Sequence, residues 1–157
     1  MLNVGDKAPA FSLPSDSGDQ VSLKDLLGKT LVLYFYPRAD TPGCTSEANQ
    51  FRDAKKELER LGARVVGISG DSVEALAKFR DKYKLNFPLL GDTDHKTLEG
   101  YGVWQDKNMY GRKVKGIVRT TYIVGADGKV RSVFPRVKVD GHIREILKTL
   151  EVHPSHQ

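Results

Sequence analysis

The feature that most restricts the fold is a continuous apolar run, TLVLYFY at residues 30–36, which ends at Pro37. Its residues are aliphatic, aromatic or β-branched, so the run has no polar face to turn toward water. Such a run is typical of a strand that is buried on both faces, as in a parallel sheet covered by helices. A second run of this kind, RVVGIS at residues 64–69, predicts another buried strand.

The segments around these strands predict helices and one hairpin. Residues 42–61 predict a single helix, with apolar residues at helical spacing and Gly62 at the position where a C-terminal glycine belongs. The other predicted elements are helices at 72–83, about 93–101 and 141–151, and strands at 119–124 and 129–134 around Ala126-Asp127-Gly128. The order β-α-β-α, an excursion, then β-β-α predicts a thioredoxin-like α/β fold: a mixed sheet with helices on both faces.

The length of 157 residues predicts one domain, which we place at residues 1–152. Residues 153–157 belong to a polar tail, VHPSHQ, that we expect to be frayed. His153 and His156 have a spacing that a metal site could use, but no Cys or carboxylate accompanies them, so disorder is the better interpretation. We expect no metal and no other cofactor.

Charge and hydropathy exclude several classes of protein. The net charge is +5, but basic and acidic residues alternate, as in DAKKELER, and no basic cluster with interleaved aromatics indicates nucleic-acid binding. The longest strongly apolar run is far short of the roughly 20 residues that a membrane-spanning helix needs. The N-terminal sequence shows no secretory signal, and one cysteine cannot form an internal disulfide. A reduced, cytoplasmic protein is the expectation.

The one cysteine, Cys44, lies in the segment YPRADTPGCTSEANQF, just after the first strand. Thr41 is a good N-cap residue and Pro42 suits the first helical position, which puts Cys44 at the third. Free backbone N–H groups and the helix dipole favour a thiolate there. An N-cap hydroxyl reaches toward the third position, so we expect Thr41 Oγ1 and Cys44 Sγ to lie close together. The alternative interpretation is that Cys44 is an unreactive thiol packed in the hydrophobic core.

Ionisation of the thiol does not by itself make an enzyme. A free thiol is already ~3% ionised at pH 7, so complete ionisation accelerates attack by at most about thirtyfold. A cysteine enzyme therefore needs a second device that stabilises charge on the leaving group. The donors for it must come from elsewhere in the chain.

The segment PRADTPGCT resembles the active-site motif of the peroxiredoxins, Pro-x-x-x-Thr-x-x-Cys, which Pro37, Thr41 and Cys44 match. TPGCTSEA together with YGVW resembles the bacterioferritin comigratory protein branch, also called PrxQ. The likeness runs through VGDKAPAFSLPSDSGDQVSLKDLLGKTLVLYFYP, FPLLGDTDHKTLEGYGVW and RTTYIVGADGKV. It implies thiol-dependent reduction of hydrogen peroxide and organic hydroperoxides through a sulfenic acid on the cysteine.

The resemblance also assigns site residues. Arg119, in VRTTYIV, holds the place of a distant family arginine, which would stabilise developing charge together with Thr41 and first-turn N–H groups, including that of Gly43. Pro37 would shield the site from water. Glu47 could orient Arg119 or could simply be an acidic residue near a helix N-terminus. The secondary candidates Tyr36 and Trp104 could line the peroxide pocket, although aromatic packing explains them better.

One position departs from the family. Asn49 stands where many members of this branch carry a resolving cysteine, and the chain has no second cysteine. We expect a one-cysteine mechanism in which thioredoxin, glutaredoxin or a small thiol reduces the sulfenic acid, with a disulfide between two subunits as an alternative. An engineered loss of the resolving cysteine stays open. We expect a monomer, with a dimer possible.

Two other functions remain as alternatives. A peroxide sensor or redox relay would share the first step but form a long-lived mixed disulfide with one partner. A thioredoxin-fold binding module would have an unreactive Cys44. A disulfide oxidoreductase is disfavoured because Cys-x-x-Cys is absent.

Overall fold

Short strands and helices alternate along the chain in a computed structural model that describes residues 1–152. The strands are β1 (Ser12–Pro14), β2 (Gln20–Ser22), β3 (Thr30–Phe35), β4 (Ala63–Ser69), β5 (Leu89–Gly91), β6 (Trp104–Met109), β7 (Arg112–Ile117), β8 (Thr120–Val124) and β9 (Val130–Phe134). The helices are α1 (Leu23–Leu26), α2 (Pro42–Asp53), α3 (Lys55–Arg60), α4 (Val73–Tyr83), α5 (Lys96–Gly100) and α6 (His142–Val152). The tail at 153–157, with His153 and His156, lies outside the described residues.

Five strands form the central mixed sheet in the order β5-β4-β3-β8-β9. β3 pairs parallel with β4, and β4 pairs parallel with β5. β8 runs antiparallel to both β3 and β9, which confirms the predicted hairpin around Ala126-Asp127-Gly128. The carboxyl ends of β3, β4 and β5 and the beginning of β8 therefore meet at one edge of the sheet.

Both faces of β3 are buried, as its continuous apolar sequence predicts. Leu31, Leu33 and Phe35 belong to one core cluster, together with residues of α1 and α5. Val32 and Tyr34 point to the opposite face, where they pack against residues of α2, α3, α4 and α6. Side chains alternate between the faces of a strand, so one run of sequence supplies two cores. The prediction of a mixed sheet with helices on both faces is confirmed.

Several predicted boundaries differ from the observed ones. The expected single helix at 42–61 is divided at Ala54, whose backbone (φ −91°, ψ 3°) is no longer helical. Close to this break, the Arg52 carbonyl accepts a hydrogen bond from the Asn86 side chain. The helix expected at about 93 begins at Lys96 because His95 has a left-handed conformation (φ 65°). Gly62 has a left-handed conformation as well (φ 76°), as its predicted role at the end of a helix requires.

Two hairpins lie outside the central sheet and were not predicted. β1 pairs with β2, and β6 pairs with β7 within the segment interpreted as an excursion. Both pairs are short or polar, so their sequences lack the alternation that marks a half-buried strand. No helix among the described residues is long and apolar enough to span a membrane.

Candidate active site

Cys44 lies in the first turn of α2, directly beyond the carboxyl end of β3. Thr41 is the N-cap residue and Pro42 occupies the first helical position, so Cys44 is third, as predicted. The Thr45 N–H donates to the Thr41 carbonyl at 2.8 Å and closes this turn. The Cys44 side chain is only 1% exposed. The thiol is therefore held against the free N–H groups of a helix N-terminus and largely screened from solvent.

Arg119 brings a cation to this thiol from another strand. Its Nη2 donates to Cys44 Sγ at 3.3 Å. The position of Arg119 follows from the sheet, because the next residue, Thr120, pairs with Phe35 at the carboxyl end of β3. The Arg119 carbonyl accepts a hydrogen bond from Val137 at 2.9 Å, which fixes its backbone. A guanidinium placed against the sulfur favours negative charge on it.

Glu47 holds the other side of the same guanidinium. Arg119 Nη1 donates to Glu47 Oε1 at 2.7 Å, and the Glu47 side chain is 2% exposed. Burial raises the pKa of Glu47 from its ordinary 4.5 to about 7, although the charge and hydrogen bond of Arg119 act in the opposite direction. Of the two interpretations that the sequence left open, the contact with Arg119 is the one that this geometry supports.

Thr41 departs from the expected cap. Its backbone has the extended N-cap conformation, but within the described residues its side chain accepts no capping hydrogen bond. The hydroxyl instead donates to the Arg38 carbonyl at 2.9 Å. The bond to the Arg38 carbonyl orients this side chain, and the expected closeness of Thr41 Oγ1 and Cys44 Sγ stays a prediction.

Two aspartates fix the loop between β3 and α2, and the sequence reasoning missed both. Asp71 Oδ2, after β4, accepts the Ala39 N–H at 2.8 Å. Asp40 has a left-handed conformation (φ 59°), and its carboxylate accepts Tyr83 Oη at 2.6 Å and Lys82 Nζ at 2.9 Å. Asp71 could have been found, since it follows the carboxyl end of the strand beside β3.

The remaining predicted residues divide into neighbours of the site and packing residues. Gly43 is exposed, and a Cβ at this position would lie 3.2 Å from Arg119 Nη2. Pro37 is half-buried at the start of the loop. Tyr36 is fully buried, with its ring 5.3 Å from that of Tyr34 between centroids. Trp104 stacks on His95 at 3.9 Å. Both aromatics thus make the packing contacts that the sequence favoured.

The arrangement is suited to nucleophilic chemistry by sulfur. A cysteine in the first turn of a helix, with a guanidinium on it, can attack an electrophilic atom as the thiolate. The same guanidinium and the N–H groups can then stabilise negative charge on what leaves. No group of three or more His, Cys, Asp and Glu that could hold a metal ion occurs within residues 1–152.

Comparison with known proteins gives consistent matches along the chain. A family model described as the AhpC/TSA family matches residues 4–133. A protein of Coxiella burnetii, a putative peroxiredoxin bcp, is 52% identical over 149 residues, which span 95% of this chain and 99% of the relative. Peroxiredoxin Bcp of Escherichia coli K12 is 45% identical over 152 residues, 97% of each chain.

Solved structures agree with these relatives. The bacterioferritin comigratory protein of Xanthomonas campestris superimposes with a TM-score of 0.87 at 37% identity over 92% of each chain. Its structures are of a trapped intermediate/ligand complex and give insight into the alkyl peroxide reduction activity of that protein. A cysteine-to-serine mutant of Xylella fastidiosa PrxQ superimposes with a TM-score of 0.92 at 33% identity over 98% of each chain.

Proposed function

The chain belongs to the AhpC/TSA family and, with its Bcp and PrxQ relatives, to the peroxiredoxins, and we propose that Cys44, Arg119 and Thr41 carry its peroxidase reaction. The predicted thioredoxin-like α/β fold and the predicted activity, thiol-dependent reduction of peroxides, are confirmed by this membership. The observation that carries the residue assignment is the 3.3 Å contact between Arg119 Nη2 and Cys44 Sγ at the N-terminus of α2.

In the first step, the Cys44 thiolate attacks the near oxygen of a hydroperoxide as the O–O bond breaks. The sulfur becomes sulfenic acid, and the far oxygen leaves as hydroxide or alkoxide, which takes a proton to become water or an alcohol. Arg119 Nη2, already against the sulfur, would donate to the oxygens as charge develops on them. Alkyl hydroperoxides are included among the substrates by analogy with the Xanthomonas campestris relative.

Glu47 and Thr41 have different parts in this proposal. Glu47 holds Nη1 of Arg119, so it acts as a positioning residue and does not touch the peroxide. The Thr41 hydroxyl would have to turn its proton from the Arg38 carbonyl toward the peroxide, exchanging one hydrogen bond for another. Pro37 and Gly43 would bound the site on its loop side.

A thiol from outside the chain completes the cycle, because Cys44 is the only cysteine. This is the one-cysteine mechanism, with thioredoxin, glutaredoxin or a small thiol as the reductant. We propose that the protein does this as a monomer in the cytoplasm. Asn49, the place of a resolving cysteine in many relatives, instead accepts a hydrogen bond from Arg52 Nη1 at 3.1 Å.

The test is the single-turnover reaction of pre-reduced protein with hydrogen peroxide, with trapping of the product for mass spectrometry. We expect a rate far above that of a free thiol and one sulfenic acid, on Cys44. Cys44→Ser should abolish the reaction. Arg119→Ala and Thr41→Val should each slow oxidation on the order of 10²–10³-fold, as is typical for the loss of one oxyanion donor.

Two matched controls separate the site from general effects of these changes. Arg131→Ala removes an arginine that pairs with Asp127 at the surface, and Thr149→Val removes a hydroxyl that donates to a carbonyl within α6. Both should keep the wild-type rate. Wild-type rates in Arg119→Ala and Thr41→Val would show that the donor set is assigned wrongly, and a free-thiol rate in the unmodified protein would favour a binding module.

A further inference from the structure

The β6–β7 ribbon is a basic projection beside the active site. Its two-residue turn, Tyr110-Gly111, has both residues in left-handed conformations (φ 53° and 78°), as a tight hairpin with a type I′ turn requires. Residues 104–117 carry four basic side chains and one acidic one, a net +3 out of +5 for the whole chain. The excess charge of the protein is therefore concentrated in this ribbon.

One face of the ribbon combines this charge with exposed apolar groups. Directly opposite residues in an antiparallel pair share a face, and the pairing sets Met109 against Arg112 and Lys107 against Val114. We call these four residues the ribbon face. Met109 is 51% exposed and Val114 39%, and the adjoining Tyr110 at the tip is fully exposed. Apolar side chains flanked by cations indicate an interaction surface rather than a solvated strand.

The ribbon face is joined to the active site through Lys107 and through the chain itself. The Lys107 side chain crosses Gly116, with Cδ only 3.2 Å from where a Cβ of that glycine would stand. Gly116 precedes Arg119 by three residues. Burial and the charge of Arg119 lower the pKa of Lys107, whereas Cys44 raises it, so its ammonium lies within electrostatic reach of both groups.

We propose that the ribbon face is the docking surface for a protein thiol reductant whose thiol is surrounded by apolar residues and carboxylates. The proposal rests on the proposed function, which requires a thiol from outside the chain to reach Cys44. It identifies the kind of reductant: an acidic redox protein rather than a small thiol. Three exposed apolar side chains offer contact area that a small thiol cannot use, and the cations attract an acidic partner.

The docked partner would carry out two exchanges. Its first thiolate attacks the sulfur of the Cys44 sulfenic acid, an S–S bond forms, and the hydroxyl leaves with a proton as water. Its second thiol then attacks the partner's own sulfur in this mixed disulfide. Cys44 leaves as the thiolate, and the partner is released with an internal disulfide, oxidised by two electrons.

The experiment compares three variants in the full chain. Arg112→Glu reverses the charge of the ribbon face near the tip, and Met109→Thr/Val114→Thr removes apolar contact while keeping strand-forming residues. Lys29→Glu is the control, because it makes the same charge change on an exposed residue at the opposite end of β3. The probe is reduced thioredoxin with an acidic surface around its dithiol, and uncharged dithiothreitol is the small-thiol comparison.

Two rates are measured for each variant: oxidation by hydrogen peroxide, and reduction of the resulting sulfenic acid by each thiol. We expect both ribbon variants to be reduced about tenfold or more slowly by thioredoxin at low ionic strength, with oxidation and dithiothreitol reduction unchanged. Added salt should bring the wild-type and charge-reversed rates together. The control should match the wild type throughout.

Other results would overturn the inference. Equal thioredoxin rates in all proteins, or a wild type that thioredoxin reduces no faster than dithiothreitol does, would exclude the surface as a reductant site. If the wild type dimerises and Met109→Thr/Val114→Thr does not, the ribbon face is instead a contact with a second copy of the chain. If the wild type sediments with anionic vesicles and the charge-reversed variant does not, the ribbon face instead binds a lipid surface. A wild type that hydrogen peroxide does not oxidise would overturn the proposed function itself.

Discussion

Glu47→Gln should change how the stability of the protein depends on pH. In the folded protein, Glu47 is 2% exposed and Oε1 meets Arg119, while Oε2 has no hydrogen-bond partner among the described residues. Burial is the main reason that the pKa of Glu47 rises from 4.5 to about 7. The folded state thus holds this proton more tightly than the unfolded state. Its contribution to stability is fully present below pH 4.5 and is lost as the pH rises through about 7.

The size of this loss follows from the two pKa values. Each tenfold difference in proton affinity corresponds to ~1.36 kcal/mol. Between pH 5 and pH 8, the folded state should lose about 2.5 kcal/mol relative to the unfolded state through Glu47 alone. Glutamine has the same shape and no proton to exchange, so the variant lacks this loss, while every other titrating group is common to both proteins.

Urea unfolding of the reduced proteins, followed by circular dichroism at pH 5, 6, 7 and 8, measures the effect. With a slope of roughly 1–3 kcal/mol per molar urea, the difference in midpoint between the two proteins should change by about 1–2 M across this range. Glu74→Gln, at an exposed carboxyl in α4, is the matched control for replacing a glutamate by glutamine. Parallel profiles for Glu47→Gln and wild type would refute the reasoning. A wild type that gains stability relative to Glu47→Gln as the pH rises would show that the Arg119 charge outweighs burial.

Two glycine substitutions test how tightly the site and the core beneath it are packed. Gly43→Ala places a Cβ 3.2 Å from Arg119 Nη2, so oxidation of Cys44 by peroxide, measured by stopped flow, should slow about tenfold or more. The free energy of unfolding, measured in urea, should be unchanged or raised by up to about 1 kcal/mol. A wild-type oxidation rate would show that the guanidinium can shift without cost. Gly67→Ala places a Cβ 2.8 Å from the fully buried ring of Tyr34 and should lower the free energy of unfolding by about 1–3 kcal/mol. Gly100→Ala is the control, because its Cβ would make only an ordinary contact, 3.9 Å from Pro9 Cβ, and it should not lower the free energy of unfolding.

The local features of the active-site helix could be predicted because they depend on neighbouring residues. Thr41, Pro42 and Cys44 take the N-cap, first and third positions that propensity predicts. The capping hydrogen bond is absent for a reason that is also local but less visible: the bond to the Arg38 carbonyl orients the Thr41 side chain. Propensity identifies where a helix begins, whereas the partner of a single hydroxyl depends on the exact path of the loop.

The contact between Arg119 and Cys44 could not be worked out from the residues. It depends on the register of β8 against β3, where Thr120 faces Phe35 across strands distant in sequence. A shift of one residue would turn the arginine to the other face of the sheet. Resemblance to a known family supplied this residue instead. The β6–β7 ribbon was missed because QDKNMYGRKVKG mixes charged and apolar residues on one face and is polar on the other, so no alternation marks it as strand.

The site combines groups that are each unfavourable to bury, and their contacts explain why they occur together. A carboxylate in a buried position costs stability unless a cation meets it, and a half-buried guanidinium has more donors than one carboxylate oxygen can accept. Arg119 uses two different nitrogens of one rigid plane, Nη1 for Glu47 and Nη2 for Cys44. Because the plane is rigid, fixing Nη1 also fixes the direction in which Nη2 points. Glu47 therefore points the guanidinium at the sulfur before any peroxide binds. The part of the cost of burying Glu47 that Arg119 does not offset is the cause of the predicted pH dependence of the protein's stability.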